Sequence, residues 1–155
     1  MHPSVVAFRE ALSAAGGRGE VRVLDEPART AAEAAALLGC ELGAIANSLV
    51  FTADGEPLLV LASGAHRVDT TALEALLPVA RVRRADPATV RSATGQVIGG
   101  VAPLGHPAPL RTLVDTSLAA HDVLWAAAGH PHAVFATTYD ELLRLTGGRP
   151  AQVAG

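Results

Sequence analysis

The chain has 155 residues, a net charge of −3 and a half-hydrophobic composition with only five aromatic residues, so one core of ordinary domain size must be built mainly from Ala, Leu, Val and Ile. All twelve basic residues are arginine, which excludes lysine Schiff bases and a P-loop lysine, and the mild acidity excludes a protein that coats nucleic acid through its overall charge. No apolar run approaches the roughly 18 residues of a membrane span, and the opening MHPSVVAFREAL lacks the basic-then-apolar layout of a signal peptide, so the cytoplasm is the expected compartment and neither a membrane nor DNA is an expected partner.

Residues 3–15 predict an opening helix, which the glycines at 16–19 end. VRVLDE at 21–26 follows as a short strand. Thr30 caps a second helix with Glu33 placed for a capping box, and Gly39 stops it. Cys40 follows this apolar run, which favours a buried structural residue over a nucleophile and leaves no partner for an internal disulfide. In AIANSLVFTADGEPLLVLAS two apolar stretches flank Asp54-Gly55, a strong hairpin turn, and Asn47 falls in the first strand. Asp69 reads as the cap of DTTALEALL, and Asp86 as the cap of DPATVRSA with Pro87 at its first position. Thr138 to Glu141 reads as the capping box of TYDELLRL. VARVRR, RTLVD, DVLWAAA and HAVFATT are the remaining strands, with Trp125 assigned to the core. Helices and strands intermix without strict βαβ alternation, so the expected fold is α+β or mixed α/β, with one mixed sheet flanked by helices.

The segment 95–111, GQVIGGVAPLGHPAPLR, carries four glycines and three prolines, too many for a helix interior or a central strand. It is a loop. Glycine there lets the main chain approach a ligand and offer its N–H groups, although a plain turn between two elements accounts for the composition equally well. The basic cluster Arg81, Arg83 and Arg84, with Arg91 beyond it, fits either a solvated strand edge or a phosphate-facing patch.

Gly99-Gly100-Val101-Ala102-Pro103 resembles the GxxxP loop of the YbaK/prolyl-tRNA-synthetase editing domains. The supporting motifs stand in the same order along the chain: IANSLVF at 45–51, LVDTSL at 113–118, AAAGH at 126–130 and YDELLRLTGG at 139–148. The resemblance spans nearly the whole chain and implies a single editing-like domain over residues 1–155. It further implies a freestanding deacylase of mischarged tRNA that uses no metal and no cofactor. Its substrate would be the 3′-terminal adenosine of tRNA carrying the wrong amino acid as an ester, with an aminoacyl-tRNA synthetase as a further partner.

Carried onto this chain, the resemblance implies Asn47 and Gly100 as catalytic positions. Ser48, Gly99, Val101, Ala102, Pro103, Asp115 and His130 would bind or shape the substrate. Asp115 fits a strand-end turn acid equally well. One departure matters: most deacylases of the family carry lysine where this chain has Asn47, and no lysine elsewhere replaces it. An asparagine amide offers donors and an acceptor but no charge, which keeps open a second reading, a catalytically weak module that binds aminoacyl-tRNA or a small amino-acid-like ligand. A third is an interaction subunit of a synthetase complex.

Other chemistries have less support. There is no GxSxG elbow. His130 and His132, with His106 and His121 as further ligands, form the nearest approach to a metal set, but HPH contains a proline and no carboxylate stands at a ligand spacing.

Overall fold

The computed structural model describes residues 2–154. In chain order it contains α1 (Pro3–Ala14), β1 (Val21–Val23), α2 (Ala31–Leu38), β2 (Ile45–Ala53), β3 (Glu56–Ser63), α3 (Thr70–Leu76), β4 (Val82–Arg84) and α4 (Pro87–Thr94). After the long loop come β5 (Arg111–Asp115), β6 (Leu124–Ala127), β7 (Ala133–Thr137), α5 (Tyr139–Thr146) and β8 (Arg149–Ala151). The eight strands form one mixed sheet in the order β1-β7-β6-β2-β3-β5-β8, and β4 pairs with β2 outside that path. This is the expected mixed sheet flanked by helices.

The hairpin β2–β3 is the centre of the sheet. Asp54 and Gly55 both adopt positive φ, 49° and 86°, as a two-residue turn between twisted strands requires. The Asp54 carboxylate then accepts the N–H groups of Ala80 and Arg81 at 3.0 and 2.9 Å, which fastens β4 beside the hairpin. Leu58, Leu59, Val60, Leu61 and Ala62 of β3 are fully buried, because helices and loops cover both faces there. Leu59 and Leu61 pack with Phe8, Leu118, Phe135 and Leu142 on one face. Leu58, Val60 and Ala62 pack with Phe51, Leu73 and Leu77 on the other. A third cluster joins Ala34 and Ala35 of α2 to Ile45, with half-buried Cys40 and Trp125 against it.

The helix caps follow the sequence closely. The side chains of Thr30, Asp69, Asp86 and Thr138 accept the N–H groups of Glu33, Ala72, Thr89 and Glu141. The capping boxes close differently from the expectation. Glu33 reaches the N–H of Arg29 at 3.2 Å, while Glu141 accepts from the hydroxyl of Thr137 and the N–H of Arg18. Four strands, β1, β4, β6 and β7, are shorter than predicted, and β8 has no forerunner in the sequence reading. It contains Pro150 and pairs with β5 at the sheet edge, where a missing N–H is tolerated. No helix among the described residues is long and apolar enough to cross a membrane.

Candidate active site

A split in the sheet creates the site. On the edge opposite β3, β2 pairs with β6 through Ile45 and Ala46 and with β4 through Phe51, Thr52 and Ala53. Asn47, Ser48, Leu49 and Val50 between them face neither strand. The Val50 carbonyl accepts the N–H of Ala85 at 3.1 Å, so alternation along the strand turns the main-chain N–H and C=O of Ser48, two residues earlier, into the same gap. Asn47 and Ser48 side chains point to opposite faces of β2, and both residues line one cavity beside this gap.

The cavity measures about 220 Å³. Its floor is Ile45 to Val50, and its walls are the segment Ala28 to Ala31 with Ala34, the loop residues Ile98, Gly99 and Val101, and Trp125 to Ala127. Arg29 and Arg84 are also lining residues, and the Arg84 guanidinium lies 5.5 Å over the Phe51 ring. The hydroxyl of Ser48 is buried without a hydrogen-bond partner, although a buried polar atom normally has one.

The long loop is held from beneath. The Gln96 side-chain oxygen accepts the N–H of Ala102 at 2.6 Å, and the Thr94 hydroxyl donates to the Val90 carbonyl while accepting the N–H of Gln96. The His106 ring nitrogen Nε2 donates to the Ala102 carbonyl at 2.8 Å. Burial pushes the His106 imidazole below its ordinary range, opposed by that carbonyl. Gly99 adopts φ +91°, and a Cβ built on it would lie 3.4 Å from the Cα and carbonyl oxygen of Arg29. The turn is closed by the Gly100 N–H donating to the Val97 carbonyl at 3.0 Å.

These contacts decide which of the predicted residues meet. Asn47, Ser48, Gly99 and Val101 line the same cavity. Gly100 turns away from it and packs on His130 and Pro131. Ala102 and Pro103 are buried beneath the loop as support. Asp115 is 1% exposed and lies outside the lining: its carboxylate accepts the N–H groups of Ser63 and Ser117, both at 2.9 Å, and stands 3.0 Å from Nδ1 of His66. That is the chemistry of a strand-end turn acid. His130 also lies outside the lining, with its ring against His2 and His132.

Three lining residues were not legible as site residues. Trp125 is half-buried beside the cavity, with the Arg22 guanidinium 4.8 Å over its ring, rather than sealed in the core. Arg29 is just the residue before a helix cap until the fold carries it to Gly99. Arg84 stood within the noted basic cluster, but only β4 pairing singles it out from Arg81 and Arg83. His121 faces Glu41 and His106 faces Ala102, so neither joins His130 and His132; among the described residues no group of three or more His, Cys, Asp or Glu is placed to hold a metal ion.

Comparison with known proteins gives a consistent result. A solved structure of a candidate trans-editing enzyme for prolyl tRNA synthetase superposes with a TM-score of 0.94 at 40% identity, covering 100% of this chain and 99% of the other. A proline–tRNA ligase of Desulfovibrio desulfuricans is 29% identical over 82% of this chain, which spans 22% of that enzyme's length. YwhH of Bacillus subtilis, uncharacterised, is 28% identical over 79% of this chain and 78% of its own. The family model for the aminoacyl-tRNA editing domain matches residues 25–145, a span that contains β2, the sheet gap and the glycine loop, and the chain belongs to that family.

Proposed function

We propose that the protein is an aminoacyl-tRNA deacylase that acts in trans on the ester of a mischarged tRNA. The observation that carries this reading is the convergence of Asn47 and Ser48 with Gly99 and Val101 on one cavity. At about 220 Å³ the cavity is smaller than the usual 300–1,000 Å³ of a small-molecule pocket, so it suits an acyl group with its ester rather than a whole nucleotide. Alanine side chains form much of the wall, which favours a small amino-acid side chain.

In the reaction, water adds to the ester carbonyl carbon, the bond from that carbon to the ribose oxygen breaks, and a proton passes to the ribose oxygen. A neighbouring tRNA hydroxyl assists the attacking water. Asn47 and the main chain at Gly99 and Val101 hydrogen-bond the ester or terminal ribose, a positioning and charge-stabilising role that a labile ester can exploit without a strong catalyst. The Ser48 hydroxyl gains in the complex the partner it lacks here. Gly100, Ala102 and Pro103 act through the loop's shape, and Asp115 and His130 act at a distance from the acyl group.

Deacylation of a panel of mischarged tRNAs tests the reading, with amino acid release from at least one of them expected. Asn47 in place of lysine favours a second reading, a binding module. Release from none, with saturable aminoacyl-tRNA binding retained, would establish that reading instead.

A further inference from the structure

We propose that His2 and His130, together with Arg29, form a phosphate-binding patch beside the cavity, which takes the backbone phosphates of the RNA strand whose aminoacylated end enters the cavity. The proposal rests on the deacylase reading for the identity of the RNA. Of its three residues, Arg29 also lines the cavity, while His2 and His130 lie outside the lining.

Chain geometry brings the rings together. Gly129 adopts φ +94°, and a Cβ there would lie 2.8 Å from the Ser4 carbonyl oxygen, so only glycine lets this segment lie on the start of α1. His2, the N-terminal cap of α1, consequently stacks on His130 with ring centroids 4.3 Å apart. Each ring is fixed by its main chain: Nδ1 of His2 accepts the N–H of Ser4 at 3.0 Å, and Nδ1 of His130 accepts the N–H of His132 at 3.1 Å. An imidazole whose Nδ1 accepts carries its proton on Nε2. Both rings therefore offer an Nε2–H donor, a group that can donate to a phosphate oxygen.

Arg29 places a positive charge near His130, although the chain as a whole is acidic. The positive end of the α1 dipole lies under His2. Burial, and after it neighbouring positive charge including that of Arg29, holds the His130 ring below the ordinary imidazole range. Nδ1 of His132 faces the Leu24 carbonyl at 3.2 Å. The acidic residues on the adjoining segment are Asp25, Glu26 and Glu33, and Glu33 is engaged by the N–H of Arg29. His2 and Arg29 are exposed. Arg29 also lines the cavity, so an RNA end seated there would pass this patch as it leaves.

The experiment measures binding of an uncharged acceptor-stem RNA hairpin to the intact protein across a salt series. Wild type, a His2→Asn/His130→Asn double variant and Arg29→Gln are compared. Asparagine keeps an oxygen in place of Nδ1, so the main-chain hydrogen bonds and the helix cap survive while the Nε2–H is lost. Each variant is expected to weaken RNA binding about tenfold, and Arg29→Gln to lower the salt slope by roughly one phosphate contact. Unchanged affinity and salt slope in Arg29→Gln and in a folded double variant would overturn the patch, as would a wild type that hydrolyses an aminoacyl-adenosine ester but does not bind the hairpin. Wild type that binds the hairpin in this way but hydrolyses no ester would overturn the deacylase reading and leave the patch standing. If circular dichroism shows the double variant unfolded, Arg29→Gln alone decides, because its side chain is exposed.

Discussion

A Cβ built on Gly100 would lie 2.8 Å from both the Cα and the carbonyl carbon of His130, with Pro131 at 2.9 Å. Main chain sits on main chain, so the glycine loop is held to the segment before β7 through a contact that admits no side chain. Neither neighbour is the flexible end of a side chain, and relief requires the loop to move.

Gly100→Val is therefore expected to destabilise the fold as well as disturb the site, by about 1–3 kcal/mol as in other overpacked positions. Denaturant unfolding alongside single-turnover hydrolysis would show both losses. Loss of activity with unchanged stability would mean that Gly100 meets the substrate directly.

Asp115 carries a prediction of the opposite kind. Its buried carboxylate accepts the N–H groups of Ser63 and Ser117, so Asp115→Ala strands main-chain donors at the ends of β3 and β5, at a cost of about 1–3 kcal/mol for each buried one. Asp115→Asn retains one acceptor oxygen and should lose less. Hydrolysis per folded molecule is expected to stay near wild type in both, and a large fall in rate with intact stability would return Asp115 to the reaction.

These two residues also show what a sequence can and cannot reveal here. Caps, the Asp54-Gly55 hairpin and the irregular loop follow from local rules, since each depends on residues a few positions apart. The loop's importance was legible, but which of its residues faces the cavity was not. Gly99 and Gly100 are adjacent and identical in type, and only contacts with Arg29 on one side and His130 on the other separate them. Asp115 was ambiguous for the same reason, because its partners Ser63 and His66 lie about fifty positions away. The cavity itself depends on β6 and β4 sharing an edge of β2 without meeting, a property of sheet topology that no local pattern encodes.

His106 predicts a pH dependence. Its folded-state pKa is lowered by burial, so below the ordinary value of about 6.5 the unfolded chain binds more protons than the folded one. The stability it contributes is present above that value and is lost as pH falls toward and through the folded value. His130 is shifted in the same direction. Thermal unfolding of wild type is expected to move to lower temperature on going from pH 7.5 to 5.5. His106→Gln, which can still donate to the Ala102 carbonyl but does not titrate, should show a smaller shift. Equal shifts in the two proteins would remove His106 as a source.

The Asn47 series separates an enzyme from a binder. Asn47→Lys restores the charge usual in the family at a position bordering the cavity, and a charge-assisted hydrogen bond contributes about 1.5–3 kcal/mol. Realised in the transition state, that corresponds to a rate increase of roughly 10- to 100-fold. If Asn47 instead belongs to a reworked pocket, the ammonium lacks a partner and loses hydration, so substrate binding or stability should fall without a gain in rate. Single-turnover hydrolysis and tRNA binding are to be measured for wild type, Asn47→Lys and Asn47→Ala together. The expected order for a weakened deacylase is Lys fastest, Asn intermediate and Ala slowest, with tRNA affinity varying less than rate. Equal rates in all three would show that position 47 takes no part in the chemistry, and would leave the catalytic contribution to Ser48 and the main chain of Gly99 and Val101.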